Sequence, residues 1–239
     1  MFRTVAGSAG GSIPPVAIPR ATIWCDIACH HRDPLCQTMK LLLFSDLHRD
    51  REAARSLFEI VQREAIDVAI GAGDFATCRN GLSDTLEILH RVPCPLVVVA
   101  GNAESDEELR AVCGDWDHVH VLHGDSVTLH DRIFFGLGGA VPVTPFGSWS
   151  FDLDESTAAA MLAECPRDAV LVTHAPPWEL ADRASDGRHL GSRAIRECID
   201  RCVPRLAVCG HIHDSWGCVI EHGATTVINA GPQGLVHTL

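Results

Sequence analysis

Lysine is nearly absent. One residue, Lys40, stands against eighteen arginines in 239 residues, and acidic side chains outnumber basic ones to a formal net charge of −12. The arginine bias points to GC-rich coding rather than to a function. The shortage of positive charge argues against broad binding of nucleic-acid duplexes, which requires a basic face. An anionic small substrate is still compatible, provided that cations sit locally in its site. Long apolar runs are also missing. A run such as Leu96 to Ala100 falls far short of a membrane span, and no uninterrupted apolar segment of a signal peptide follows Arg3. Nor is there a regular cysteine framework. The eleven cysteines are odd in number, and Cys78, Cys94, Cys113, Cys165, Cys209 and Cys218 fall singly. Reduced thiols in a cytoplasmic protein account for this better than disulfides. Cys198 and Cys202 stand at helical spacing and read as a packed face rather than a ligand pair.

What is present suits one globular domain: 46% of residues are hydrophobic and 21% charged. Residues 1–38 differ from the rest. Gly7 to Gly11 is small and flexible, and Pro14, Pro15, Pro19 and Pro34 break any periodicity. Cys25, Cys29, His30, His31 and Cys36 match no standard zinc spacing. This segment reads as a disordered extension or a mis-assigned start, with Met39-Lys40 where a start codon would fall and the domain running over 39–239.

From Met39 onward, apolar runs and amphipathic stretches alternate. Leu41 to Phe44, Asp67 to Ile70 and Pro95 to Ala100 read as strands, and 52–64, 82–90 and 104–112 as helices. Such alternation predicts parallel strands joined by right-handed crossovers. Strands at 119–122, 126–129 and 133–137 follow, with Gly124-Asp125 and His130-Asp131-Arg132 as hairpin connections. A long loop, 138–152, carries Phe146 and Trp149. Then come a helix at 154–164, a strand at 169–173, a helix at 192–202, and strands at 206–209, 216–221 and 225–229.

The polar residues fall where strands end: Ser45, Asp46 and His48 after the first, Asp74 after the second, Asn102 after the third. His174, His211 and His213 follow later buried runs. Ligands in open parallel sheets bind beyond the carboxyl ends of strands, so seven of these, Asp46, His48, Asp74, Asn102, His174, His211 and His213, are expected on one rim. Asp46 and His48 would face the same way if the chain stayed extended. Two carboxylates, one amide and four imidazoles exceed what one cation needs and suit two, with Asp74 as the bridge because its strand is expected between those of Asp46 and Asn102.

The order Asp46-x-His48, Gly73-Asp74, Gly101-Asn102-x-Glu104, His174 and Gly210-His211-x-His213 resembles the calcineurin-like metallophosphoesterases, and His189 to Ser192 adds likeness to the bacterial phosphodiesterase-like and metallophosphoesterase-domain branches. The resemblance implies an α/β fold, a four-layer αββα sandwich of two mixed β-sheets flanked by helices. It also implies a dinuclear centre with two divalent metal ions. His213 would join Asp46, His48 and Asp74 around one ion; His211 would join Asn102, His174 and Asp74 around the other. Manganese is the first expectation, and mixed nitrogen and oxygen donors also suit iron or zinc. Asp74, Asn102 and His174 are expected closest to the chemistry. One position departs from the pattern: Ala103 stands where the family usually has a histidine that helps the leaving oxygen depart.

Two divalent ions acidify a shared water toward a pKa of ~7, which does not involve residue 103. A positioned general acid contributes typically ~10²–10⁴-fold, so its loss penalises poor leaving groups most. The expectation is a phosphodiesterase acting on a small phosphorylated substrate, cyclic or aryl-type and nucleotide-like, with Phe146 and Trp149 as a stacking surface or a hydrophobic lid. Arg49 is a candidate phosphate contact, His123 and His189 are candidate substitute acids, and Glu104 is expected to orient backbone or cap its helix. A phosphomonoesterase and a weakly active regulatory module that binds metal and nucleotide are the competing readings.

Overall fold

The computed structural model describes residues 38–239; the first 37, with their cysteines and histidines, lie outside the described residues. Eleven strands and five α-helices follow one another as β1 (Lys40–Phe44), α1 (Arg51–Glu64), β2 (Val68–Gly71), α2 (Ser83–Leu89), β3 (Leu96–Val98), α3 (Asp106–Cys113), β4 (Val119–Val121), β5 (Asp125–Leu129), β6 (Arg132–Leu137), α4 (Glu155–Leu162), β7 (Val170–Thr173), α5 (Arg193–Cys202), β8 (Leu206–Cys209), β9 (Val219–His222), β10 (Thr225–Asn229) and β11 (Leu235–Thr238). One sheet has the order β11-β1-β2-β3-β4 and the other β5-β6-β7-β8-β10-β9. Both are mixed: β1 to β4 run parallel with β11 antiparallel at the edge, and β6, β7, β8 and β10 run parallel with antiparallel β5 and β9 outside.

The alternation of side chains along a strand builds the layers. Leu41 and Leu43 face the second sheet and share a core with Val68, Ile70, Val97, Phe134, Val172, Val208 and Ile228. Leu42 and Phe44 point the other way, onto α1, α2 and α3, through Leu57, Val61, Leu86, Leu89 and Leu109. The outer face of the second sheet, with Phe135, Leu137, Leu171 and Ala207, is covered by Ala158, Leu162, Ile195 and Ile199 of α4 and α5. Strands buried on both faces need continuous apolar runs, as Leu-Leu-Leu-Phe at 41–44 supplies. The result is the four-layer αββα sandwich.

Three local expectations are corrected. Gly124-Asp125 is not a hairpin turn. β4 pairs with β3 in the first sheet, whereas β5 pairs with β6 in the second, so the chain changes sheets there. His130 and Asp131 do close a hairpin, both left-handed (φ 49° and 61°), as a right-twisted two-residue turn demands. Trp216 lies outside the strand expected at 216–221, because a short 3-10 turn at His213–Ser215 intervenes. β11 was not foreseen. Its alternating Leu-Val-His-Thr half faces water, and only its pairing with β1 makes it a strand. No helix among the described residues is long and apolar enough to cross a membrane.

Candidate metal centre

The chain leaves extended conformation as soon as the strands end. Asp46, His48 and Arg49 have φ of 55°, 43° and 69°, Asp74 58° and His211 67°. Asp46 and His48 therefore do not share a direction through strand alternation, as expected from sequence. They are brought together by two consecutive left-handed turns, laced to the exit of β2. Asp46 N donates to Gly73 O (2.8 Å), His48 N to Asp74 O (2.8 Å) and Arg49 N to Phe75 O (2.9 Å). Left-handed backbone outside glycine costs of order 1–3 kcal/mol per residue and gathers at functional sites. Two glycines are required by close approach: a Cβ on Gly101 would overlap the Asp74 carboxylate, and one on Gly210 would overlap Asp46 and Ser45.

The seven strand-end residues meet on one rim, in two groups. Asp46, His48 and His213 offer ligand atoms all within 4.8 Å of one another, and so do Asp74, His174 and His211. In the first, His48 Nε2 lies 3.3 Å from His213 Nε2, which lies 3.6 Å from Asp46 Oδ1. In the second, His174 Nε2 is 3.2 Å from Asn102 Oδ1, and the His174 and His211 rings are 4.9 Å apart. Asp74 divides its oxygens between them. Oδ2 lies 3.5 Å from His48 Nε2, and Oδ1 lies 3.5 Å from His174 Nε2. In the sheet, β2 lies between β1 and β3, which sets Asp74 between Asp46 and Asn102. One carboxylate and two imidazoles per group suit a divalent cation of borderline softness.

Electrostatics prepare the site for positive charge. Burial, and then the neighbouring charge of Asp46, push the Asp74 carboxyl up to about 7. For Asp46, burial would raise the carboxyl, but the hydrogen bond with His213, the charge of His174 and the Ser45 hydroxyl outweigh it and hold it at about 2. Burial, reinforced by His174, pushes His211 down to about 3, so its ring is neutral and its lone pair free.

The surrounding shell fixes these groups. His48 Nδ1 is 3.1 Å from Ala76 O and His174 Nδ1 2.8 Å from Ala72 O, which leaves each Nε2 facing the cluster. Glu104 is fully buried and accepts from Gly101 N (2.8 Å), Ala76 N (2.9 Å) and Phe75 N (3.3 Å). It ties the Asp74 and Asn102 loops together, the backbone role expected of it. Ser45 and Asp46 are buried; Ser45 Oγ donates to Asp46 Oδ2 (2.5 Å) and accepts from Gly231 N (3.0 Å). Sequence reasoning missed Trp216. Its Nε1 donates to Asp46 Oδ2 (3.1 Å), and its ring packs on His213 with centroids 4.2 Å apart. Asn229 was missed as well: its Nδ2 donates to Gly210 O and Ile212 O, both at 3.1 Å, bracing the loop that carries His211 and His213. For Trp216 the only available signal was its place three residues after His213.

The centre opens into a cavity of about 610 Å³, whose lining includes Ala103, Val143, Phe146, Trp149 and Leu190. Phe146 and Trp149 stack at 5.5 Å with planes 10° apart. Arg188 is the one lysine or arginine among the lining residues described, and its Nε is held by Asp186 at 2.6 Å. Arg49 does not line the cavity; it pairs with Asp84 at 2.9 Å. Neither candidate acid lines it either. His123 Nδ1 accepts from Gly138 N (3.2 Å), and His189 Nδ1 is 2.7 Å from Asp182 Oδ1.

Comparison with known proteins agrees with this architecture. The calcineurin-like phosphoesterase superfamily domain matches residues 39–238, and the chain belongs to that superfamily. Two Caenorhabditis elegans relatives are UPF0046 protein K07C11.7, 33% identical over 190 residues (69% of this chain, 62% of the relative), and UPF0046 protein T07D4.2, 25% identical over 209 residues (72% and 52%). The chain thus spans between half and two thirds of the length of these relatives. Among solved structures, a Thermus thermophilus protein superposes with a TM-score of 0.67 at 16% identity, over 85% of this chain and 99% of that one. A dimetal phosphatase from Danio rerio gives 0.54 at 12% identity (81% and 88%). Both show the shared fold.

Proposed function

We propose that the protein is a dinuclear metal-dependent phosphodiesterase for small diesters with an aryl, cyclic or nucleotide-like group. Asp74 carries this reading: one carboxylate whose two oxygens are divided between two three-donor groups suits two cations better than one. Asp46, His48 and His213 would hold the first, and Asn102, His174 and His211 the second, with Asp74 shared and manganese the first choice. When bound, two divalent ions supply a nucleophilic water near neutral pH and neutralise phosphoryl oxygens.

The chain's own residues do the rest. Ser45, Trp216 and Glu104 orient the carboxylates and loops; Ala72 O and Ala76 O orient His174 and His48. Val143, Phe146 and Trp149 offer apolar surface at the cavity, and the stacked Phe146–Trp149 pair can stack a planar group. Ala103 donates no proton to a departing oxygen, which favours substrates whose leaving group departs as a stable anion. With Arg49 engaged by Asp84 and Arg188 by Asp186, little protein-borne positive charge is free for the second charge of a monoester. Monoester hydrolysis and metal-dependent regulatory binding of a nucleotide are the readings to test against, and a cytoplasmic location remains part of the proposal.

The test compares an activated aryl diester with the matching monoester on manganese-replete protein, wild type and Ala103→His. The diester is expected to turn over faster. Restoring the histidine is expected to raise turnover of alkyl leaving groups by ~10²–10⁴-fold. Faster monoester turnover by the wild type would overturn the diester preference. Two bound metals without turnover of either ester would favour the regulatory reading.

A further inference from the structure

A second cluster of metal-ligating side chains lies away from the rim just described. Cys165, in the turn between α4 and β7, and Cys198 and Cys202 on α5 are all buried, and their sulfurs lie within 4.8 Å of one another. Cys198 Sγ and Cys202 Sγ are 4.0 Å apart. The helical spacing places those two on one face; folding adds the third sulfur from 33 residues upstream, which no spacing rule foretells. Cys165 and Cys202 precede β7 and β8, whereas His174 and His211 follow them. Because β7 and β8 are parallel, the thiols sit toward the opposite end of the sheet from the candidate metal centre.

Geometry and charge bear on what such a cluster can hold. Three sulfurs ~2.3 Å from a central ion in a trigonal array are separated by roughly 4.0 Å. The observed spacing needs little adjustment to reach that value. Zinc in closed sites takes four donors, and among the described residues the group has no fourth histidine, cysteine or carboxylate. Soft thiolates in low number suit a monovalent d¹⁰ cation. Arg201 covers the cluster: its Nη2 lies 3.8 Å from Cys198 Sγ and donates to Leu162 O (2.7 Å), and its Nη1 donates to Ala163 O (3.3 Å). The guanidinium offsets thiolate charge, and because Arg201 is exposed its movement gives a path of entry. The hydrogen bond with Cys165 brings the Cys198 thiol down to about 7, making one thiolate accessible near neutrality.

We propose that Cys165, Cys198 and Cys202 form a thiolate site for one soft monovalent cation of the copper(I) type, which would clip the α4–β7 turn to the carboxyl end of α5. Binding exchanges each ligating thiol's proton for a metal–sulfur bond, without change of oxidation state. The site is independent of the proposed phosphodiesterase activity.

The test titrates full-length, reduced, manganese-loaded protein with copper(I) under anaerobic conditions against a chromophoric copper(I) chelator. Cys198→Ala and Cys165→Ala are run beside a Cys25→Ala/Cys29→Ala/Cys36→Ala variant, which removes the amino-terminal thiols as competitors. Wild type and the amino-terminal variant are expected to retain one equivalent that both core variants lose. Equal retention by Cys198→Ala and wild type would overturn the proposal. If the core variants fail to fold, X-ray absorption of the amino-terminal variant at one equivalent decides. Two or three sulfur neighbours at about 2.3 Å support the site, and nitrogen or oxygen neighbours overturn it.

Discussion

Asp74 combines burial, a neighbouring carboxylate and two facing imidazoles, and each has a consequence in solution. Because its carboxyl is pushed up to about 7, below that pH it carries a proton that an incoming cation must displace. Through this group, metal affinity is expected to fall by about tenfold per pH unit below about pH 7 and to level off above it. Isothermal titration in buffers of different ionisation enthalpy measures the released proton, and a flat affinity between pH 5 and 8 would contradict this account. Trp216 is the second test at this scale. Trp216→Phe keeps a ring against His213 but removes the N–H donated to Asp46 Oδ2. Removing such an outer hydrogen bond is expected to weaken metal binding by roughly 10–100-fold, read by competition with a fluorescent chelator. Unchanged affinity would leave Trp216 a packing residue only.

Among the elements, α3 shows most directly how local sequence sets structure beside the site. Ser105 Oγ accepts from Glu108 N (3.3 Å) while Glu108 Oε2 accepts from Ser105 N (2.8 Å), a reciprocal cap one residue after Glu104. Ser105→Ala is expected to cost about 1 kcal/mol, measured by urea unfolding; no loss would show that neighbouring contacts hold α3 in place. Helices α1, α3, α4 and α5 were legible because apolar periodicity is a local signal; the structure adds the caps Asp50 and Ser105, and Ser105 moves the start of α3 from 104 to Asp106. β11 and the sheet change after β4 were not, because edge pairing and sheet membership depend on residues far away in the chain. The loop at 138–152 was visible as a loop. Its bridge between Ala140 and Asp152, and the bonds of Thr144 and Ser150 to Asp152, exist only once it folds back on itself.

At the scale of the whole molecule, stability rests on the layer between the sheets, since the rim itself holds buried charge and left-handed backbone. Phe134 is fully buried in that layer, among Val97, Val170 and Val172. Phe134→Ala is expected to cost about 3–5 kcal/mol and to lower the urea midpoint without altering the slope. A loss below 1 kcal/mol would mean that the two sheets close over the gap. The same layering explains why one rim collects all seven polar residues: parallel strands in both sheets release their carboxyl ends on the same side.

Residue order alone determined which side chains end the buried strands, that Asp74 follows the middle one of the first three, and that residue 103 carries no acid. Apolar runs and the polar residues that terminate them are properties of adjacent positions. Folding decided how those residues converge, through left-handed turns rather than extended strands, and which group each histidine joins. It also excluded Arg49, His123 and His189 from the cavity, placed Trp216 against Asp46, and brought Cys165 to two thiols on another helix. These are contacts between residues up to 170 positions apart, and distance in the chain carries no information about such pairs until the two sheets have packed.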